Sequence, residues 1–517
     1  MILSGYKKKL GFFRGLISYI YSSEPVYILT LFSLTSLFLS SGFFSEFKFA
    51  LIFLIIVWIV AAIRIKNAFI SLLLITLYTL PFSNPSKIYT VLVIPAYKLL
   101  GLPGGVKSDY NLGYGLTLVN VFLFLTLIAL LREVVLDRKR IKPILKDWIT
   151  VFSLTSWLIF LLIGLTTSFL NSPFVELSTV WLLQYAEGLL MTIFIFYFFV
   201  HYQKRFNLIF TLFIFTISLQ SLISFAQFLR QSSLGLPLEI SQVASAYYAN
   251  IDEVSNIFRV SGTFHYHNQL ALIILLLIVF ISVRALEVKK TLYLLSIIFG
   301  FITILLSQSR SVWLAALIFI YFLFLDYKKE LSKIVTLIGA RKIILLILVI
   351  VVGLSYVLIP RLILSLNLFY EGAGFSFRTK IFSEALESIS INPLVGWGIG
   401  TNEYVLVSLF PNGVVSAFPT AVHNAYLQLT LEVGLLGTLF FLLPFLLILR
   451  EFYVNKSNLS SNKKTNHYKF VYKSGLVICS LYYFFQPHVG ILEFSYLGVL
   501  VGFGLIGVYL GGNYEKN

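Results

Sequence analysis

Arginine is the side chain best suited to gripping a diphosphate, because its planar fork of donors stays charged and meets two oxygens at once. Arg259 lies in Phe258-Arg259-Val260-Ser261-Gly262-Thr263-Phe264-His265-Tyr266-His267-Asn268, just before an apolar stretch. Diphosphate binding is open to it there; an ion pair with Asp252 or Glu253 is the alternative. Arg310 sits in Leu306-Ser307-Gln308-Ser309-Arg310-Ser311-Val312-Trp313, a minimal turn between two apolar runs. Snorkelling explains an arginine at a helix end, but the flanking Ser307, Gln308, Ser309 and Ser311 favour a polar pocket. Arg378 stands in a later polar segment. His423 opens an apolar stretch in Ala421-Val422-His423-Asn424-Ala425-Tyr426-Leu427-Gln428. An imidazole there is a natural base for taking a proton from a sugar hydroxyl near neutral pH; a structural histidine at a helix N-terminus is the alternative. His265 and His267 have the look of a metal pair but no third ligand nearby, so they read as hydrogen-bonding residues, and no metal site is expected.

The elements that must position these groups are membrane helices. The chain has 517 residues, 58% hydrophobic and only 12% charged, with mean hydropathy +0.91. A soluble domain carries about a quarter charged residues, so a soluble enzyme and a disordered tail are excluded. The lone Cys479 rules out an internal disulfide framework and a cysteine-based metal cluster. Apolar runs long enough to cross a bilayer occur at 25–44, 47–63, 68–83, 114–131, 149–170, 179–200, 207–229, 268–283, 291–307, 311–325, 342–359, 424–449, 472–486 and 493–511. The expectation is an all-α polytopic membrane protein of about fourteen transmembrane helices (12–14).

The net charge of +17 invites a nucleic-acid partner, but its distribution argues against one. Of 39 Lys and Arg, 29 fall in short runs on one side of the alternating spans, as at Arg138-Lys139-Arg140 and Lys463-Lys464. That is the positive-inside pattern, with both termini cytoplasmic. No small-residue cleavage site follows the first apolar run, which reads as a retained helix. Ten basic residues remain outside, five of them arginines: Arg230, Arg259, Arg310, Arg361 and Arg378. The outside segments that matter are about 230–267, the turn at 308–311, and the 63 residues from Pro360 to Val422. In the last, Phe377–Ile391 places Ile381, Ala385, Leu386 and Ile389 at helical spacing. Asn392-Pro393 then breaks the pattern and Gly396-Trp397-Gly398-Ile399-Gly400 follows as a turn. A partly helical extracytoplasmic lid or platform is expected. The first outward loop, around 42–46, holds only Glu46; the paired carboxylates that would hold a divalent metal are missing there, so arginine and histidine chemistry without metal fits better.

The order of these pieces resembles the O-antigen ligase and polymerase superfamily of bacterial membrane proteins. It runs Arg259 with Gly262, Phe264, Asn268 and Ala271; Ser309-Arg310; Arg378 with Asn392-Pro393-Leu394-Val395-Gly396-Trp397-Gly398; then His423-Asn424 with Gly434 and Gly437. The resemblance covers about residues 255–450, and the spacing from His423 to Gly434 is similar to that of the ligases.

The resemblance implies a GT-C-like membrane glycosyltransferase, inverting and metal-independent, whose donor is a glycan on a polyprenyl (undecaprenyl) diphosphate at the outer face of the bacterial cytoplasmic membrane. No cofactor is implied beyond that donor substrate. Carried over, His423 deprotonates the acceptor hydroxyl, and Arg259 with Arg310 and Arg378 holds the diphosphate. Asn268, His265, His267 and Asn424 are candidate acceptor or donor contacts. The expected parts are N-terminal transmembrane helices (1–230), a ligase-like catalytic region (231–450, including the loop 360–422) and C-terminal transmembrane helices (451–517). Acceptors of lipid, glycan or protein type all fit, as in lipopolysaccharide and other cell-envelope biosynthesis. A polysaccharide polymerase has the same chemistry. A small-anion transporter is the reading from another class; it would need charged groups near mid-membrane reachable from both sides, whereas the charges here gather at one face and Glu187 is among few exceptions.

Overall fold

The computed structural model describes residues 23–40, 47–82, 117–172, 175–236, 258–264, 266–288, 291–338, 359, 373–417, 421–454, 463–486 and 491–513. Among them the regular elements are helices. The first seven are α1 (Glu24–Ser40), α2 (Phe47–Ile65), α3 (Ala68–Thr79), α4 (Leu118–Leu136), α5 (Trp148–Leu170), α6 (Val175–Tyr202) and α7 (Asn207–Arg230). There follow α8 (His267–Val288), α9 (Thr291–Leu306), α10 (Arg310–Ile338), α11 (Ala373–Ile391), α12 (Asn402–Leu409), α13 (Ala425–Val454), α14 (Lys463–Phe485) and α15 (Ile491–Asn513).

Seven of these helices are long and apolar enough to cross a membrane, and five shorter ones are also apolar. The chain is therefore a polytopic helical membrane protein. The expected span 342–359 lies, but for Ile359, outside the described residues. Several helices outrun their apolar windows: 311–325 is part of α10, which is interrupted at Tyr327 (φ −126°), and 472–486 is the second half of α14. A hydrogen-bonded helix continues beyond the hydrocarbon wherever nothing breaks it, so its length exceeds the apolar stretch.

Side-chain caps fix several starts, as the sequence chemistry requires. Asn67 accepts from the Ile70 N–H at 2.8 Å. Thr117 and Asn120 form a capping box, and Asp147 accepts from the Thr150 N–H at 3.2 Å. The bundle is assembled by pairing α6 with α15, α5 with α13, α8 with α9, and α14 with α8, α10, α13 and α15. Leucines such as Leu131, Leu162, Leu317 and Leu439 stay exposed on its outside, as lipid-facing positions do.

Hydrogen bonds define the two ends of the bundle. At one, Glu133 accepts from Asn67 (2.9 Å), Arg140 (2.8 Å), Tyr197 (2.8 Å) and Tyr202, and Arg205 pairs with Glu24 at 2.9 Å. This end gathers the short basic connections. At the other end stands the lid. There α11 packs against α13 and α12, over a small core of Ile381, Ala385, Val405, Leu406, Val415, Val422 and Leu431. Leu386, expected on the buried stripe, is exposed instead, while Ser388 is buried. Five residues after Ile381 a helix has turned about 140° away, whereas positions 385 and 388 stay in line with it.

Candidate functional site

The lid is seated by a break in α13. Gly434 adopts φ 68°, ψ −178° and interrupts the helix, which leaves backbone groups on either side without helical partners. The turn 393–398 supplies them. Trp397 N–H donates to Leu431 O (3.0 Å), Gly398 N–H to Glu432 O (2.8 Å), Leu435 N–H to Pro393 O (2.8 Å) and Leu436 N–H to Leu394 O (3.4 Å). Asn171 at the end of α5 donates to Gly396 O at 2.9 Å. The glycines of the turn are thus a structural requirement: Gly396 and Gly400 have positive φ, and a Cβ on Gly400 would lie 2.1 Å from the Trp181 ring.

From that seat the chain returns to His423. Asn424 caps α13, its Oδ1 accepting from the Tyr426 and Leu427 N–H groups at 3.0 Å each. Its amide also donates to Phe484 O at 3.2 Å, which ties the cap to the end of α14. Asn424 is 6% exposed, so its hydrogen bonds place it as the cap beneath His423. The imidazole of His423 is half-buried. Burial, and secondarily the positive charge of Arg378 on α11, push its pKa down to about 4. Both effects disfavour the imidazolium, so His423 is neutral at pH 7, without the proton that would charge its ring. The structure therefore brings His423 and Arg378 together.

Arg259 is built into a second cluster. Two glutamines on one face of α7 clamp the segment that follows Arg259. Gln227 Oε1 accepts from the Ser261 and Gly262 N–H groups (3.2 and 2.9 Å), and its amide donates to Gly262 O (2.8 Å). Gln220 Oε1 accepts from Thr263 N–H at 3.0 Å, and its Nε2 donates to Thr263 Oγ1 at 2.8 Å. Gly262 (φ 60°) leaves room for this, since a Cβ there would lie 2.4 Å from Gln220 Oε1. So held, Arg259 is 8% exposed and donates from Nε to Ser307 O (3.2 Å) and from Nη2 to Gln308 O (2.9 Å) and Asn268 Oδ1 (3.3 Å). It fastens the turn between α9 and α10 to the start of α8. Asp252 and Glu253, its alternative partners, lie outside the described residues, as does His265.

That turn contains Gln308 at φ 57°, with Ser307, Gln308 and Ser309 buried and Arg310 exposed as the first residue of α10. Ser307, Gln308 and Ser309, expected to surround Arg310, are thus buried in the turn, whereas Arg310 itself is exposed at the start of α10. His267 is the half-buried first residue of α8 and Asn268 the second. The described residues include no group of three His, Cys, Asp or Glu that could hold a metal.

Sequence reasoning missed Gln220, Gln227, Asn402 and Glu432. Each is a buried polar side chain, and the seven-residue spacing of the glutamines puts both on one helix face. A buried carboxylate in a membrane helix is a signal in itself.

The family model described as O-Antigen ligase matches residues 295–442. The matched stretch runs from α9 into α13 and contains Arg310, Arg378, the 392–398 turn, His423, Gly434 and Gly437. The resemblance drawn from the motif order is thus supported over this segment, which is similar to the O-antigen ligase family model; Arg259 precedes it. No curated protein matches the chain.

Proposed function

We propose that the protein is a membrane glycosyltransferase of the O-antigen ligase type. In this reading it moves a glycan from a polyprenyl-diphosphate carrier to an acceptor hydroxyl, with inversion and without a metal. The observation that carries the reading is His423: an imidazole outside the membrane span, kept neutral by burial and by Arg378, in a segment matched by that family.

The step balances with this chain's own residues. His423 takes the proton of the acceptor hydroxyl as its oxygen attacks the anomeric carbon. The bond from that carbon to the diphosphate oxygen breaks, and the polyprenyl diphosphate leaves with the electron pair. Arg378 and Arg310 stabilise the charge that develops on the leaving group. Arg259 holds the turn that presents Arg310, with its remaining donor capacity directed to the same diphosphate. Asn268, His267 and His265 are proposed contacts to donor or acceptor, and Asn424 supports His423 from below.

We place the lid end outside the cytoplasmic membrane and the basic end in the cytoplasm, since the basic connections gather opposite the lid. A GT-C-like arrangement of about fourteen spans belongs to this proposal, as do the catalytic region 231–450 and the flanking helical regions. A polymerase, in which the acceptor is a second lipid-linked repeat, uses the same step. Transport is less well supported: Glu187 in α6 is buried and accepts from Asn120 and from Ser495 (3.2 Å), partners that suit a packing role better than a moving ion.

The test is transfer from a polyprenyl-diphosphate glycan by the purified chain, with lipid, glycan and protein acceptors offered in turn. Product with wild type and none with His423→Ala supports the reading, and the acceptor used separates ligase from polymerase. Full activity in His423→Ala removes the proposed base. Anion flux in proteoliposomes without transfer would replace the reading by transport.

A further inference from the structure

The best-connected buried carboxylate at the lid end has a side chain to which the proposed reaction assigns no part. Glu432 lies two residues before the break in α13 and is 1% exposed. Its Oε1 accepts from Asn402 Nδ2 at 2.6 Å and from Gln428 Nε2 at 3.2 Å. The carboxylate also takes the backbone N–H groups of Gly400 and Asn402. Asn402 N–H is the first amide of α12 and Gly400 immediately precedes its N-cap residue, Thr401, which makes no side-chain cap. A carboxylate on one helix thus caps another, where the α12 dipole favours a negative partner.

The connection continues to the catalytic loop. Asn402 Oδ1 accepts from the Val422 N–H at 3.3 Å, and Val422 is the residue before His423. On the other side, Asn424 N–H donates to Val422 O at 2.8 Å while its side chain caps α13. His423 is therefore suspended between two fixed points: the cap of α13, and a chain of three groups reaching down to Glu432. A carboxylate in the top of a membrane helix is costly relative to an apolar residue, so a role beyond filling space is expected of it.

We propose that Asn402 and Glu432 are positioning residues for His423, fixing the imidazole against the acceptor hydroxyl through the Val422 amide. This rests on the reading of His423 as the base. A pair that merely braced the lid would change stability and donor binding. A positioning pair acts on turnover, because displacing a catalytic group by about 1 Å costs on the order of a hundredfold in rate.

The experiment uses the full chain in nanodiscs with a polyprenyl-diphosphate glycan as donor, under conditions where wild type transfers and His423→Ala does not. Asn402→Ala is expected to lower kcat by about ten- to a hundredfold, with donor KM within about threefold of wild type. Glu432→Gln, which keeps an oxygen for Asn402 Nδ2, should retain more activity than Glu432→Ala. The Asn402→Ala/Glu432→Ala double variant should be no slower than the worse single one, as for residues acting in series. In Asn402→Ala the acid limb of the kcat–pH profile should move up from near pH 4, as the loosened imidazole regains solvent. Should Glu432→Ala fail to fold, Asn402→Ala with its pH profile still decides. Wild-type kcat in Asn402→Ala, a loss entirely in KM, or strict additivity overturns the proposal. A wild-type chain that transfers nothing, or a His423→Ala chain that transfers normally, overturns the function reading instead.

Discussion

Gly396 and Gly434 meet backbone to backbone. A Cβ on Gly396 would lie 2.5 Å from Gly434 N, and a Cβ on Gly434 would lie 2.2 Å from Leu394 O. No flexible side chain can yield at either contact. Gly434→Ala adds to this clash a backbone conformation (φ 68°, ψ −178°) open essentially to glycine alone, at a cost of about 1–3 kcal/mol. We expect Gly434→Ala and Gly396→Ala each to destabilise the protein by at least about 2 kcal/mol, read as a lowered unfolding temperature in detergent. Wild-type melting in both would mean that the turn does not seat in the broken helix as described.

The protonation of His423 gives a pH prediction with a definite sign. Its folded pKa of about 4 is below the ordinary value near 6.5. The neutral base therefore persists as pH falls through 6, and the acid limb of kcat should break near 4. Arg378→Gln removes the lesser of the two causes and should move that limb upward by less than half of its distance from the ordinary value, burial holding the rest. Linkage gives stability the same direction: the contribution from His423 is complete above about pH 6.5 and is lost as pH falls towards 4. An acid limb near 6.5 in wild type, unmoved by Arg378→Gln, would contradict the placement of this pair.

Arg259 and Arg310 should separate in the laboratory. Arg259 donates to two backbone carbonyls of the α9–α10 turn and to Asn268, so Arg259→Ala leaves buried acceptors unpaired, at about 1–3 kcal/mol each. Lysine lacks the fork and should restore little. Both variants should melt early as well as lose activity; a fully stable Arg259→Ala would show that the turn holds itself.

Arg310 is exposed at the start of α10, and its removal should leave the melting temperature within about 1–2 °C of wild type. Donor KM should rise about ten- to a hundredfold, as for loss of a charge-assisted contact, and should become less sensitive to salt. An unchanged KM would remove Arg310 from the diphosphate site.

The architecture was legible in the sequence wherever a single physical signal dominated. Long apolar runs located most helices, and the uneven placement of Lys and Arg separated the two ends. The turn after Asn392-Pro393 was readable from its glycines, but its purpose was not. Nothing local in Pro393-Leu394-Val395-Gly396-Trp397-Gly398 says that its outer carbonyls and amides complete a helix forty residues later. Leu386 shows a smaller version of the same limit, since a periodic pattern with one residue too many does not say which one faces out. At the candidate site, residue chemistry drew attention to Arg259 and His423 because few groups in so apolar a chain could act. The glutamines of α7 and the Asn402–Glu432 link escaped notice because their roles depend on neighbours distant in sequence, which spacing within one helix does not encode.

The exchange of backbone hydrogen bonds between the 393–398 turn and α13 also bears on how the protein can be divided. Cut free, the lid would lose the acceptors at Leu431 and Glu432 and the donors at Leu435 and Leu436. The bundle left behind would expose the same unpaired groups close to the hydrocarbon, where water cannot replace them cheaply. Lid and bundle are thus one folding unit joined through the main chain. An excised 373–417 fragment should not fold by itself, and exchanging lids between related chains should succeed only when the first half of α13 travels with them.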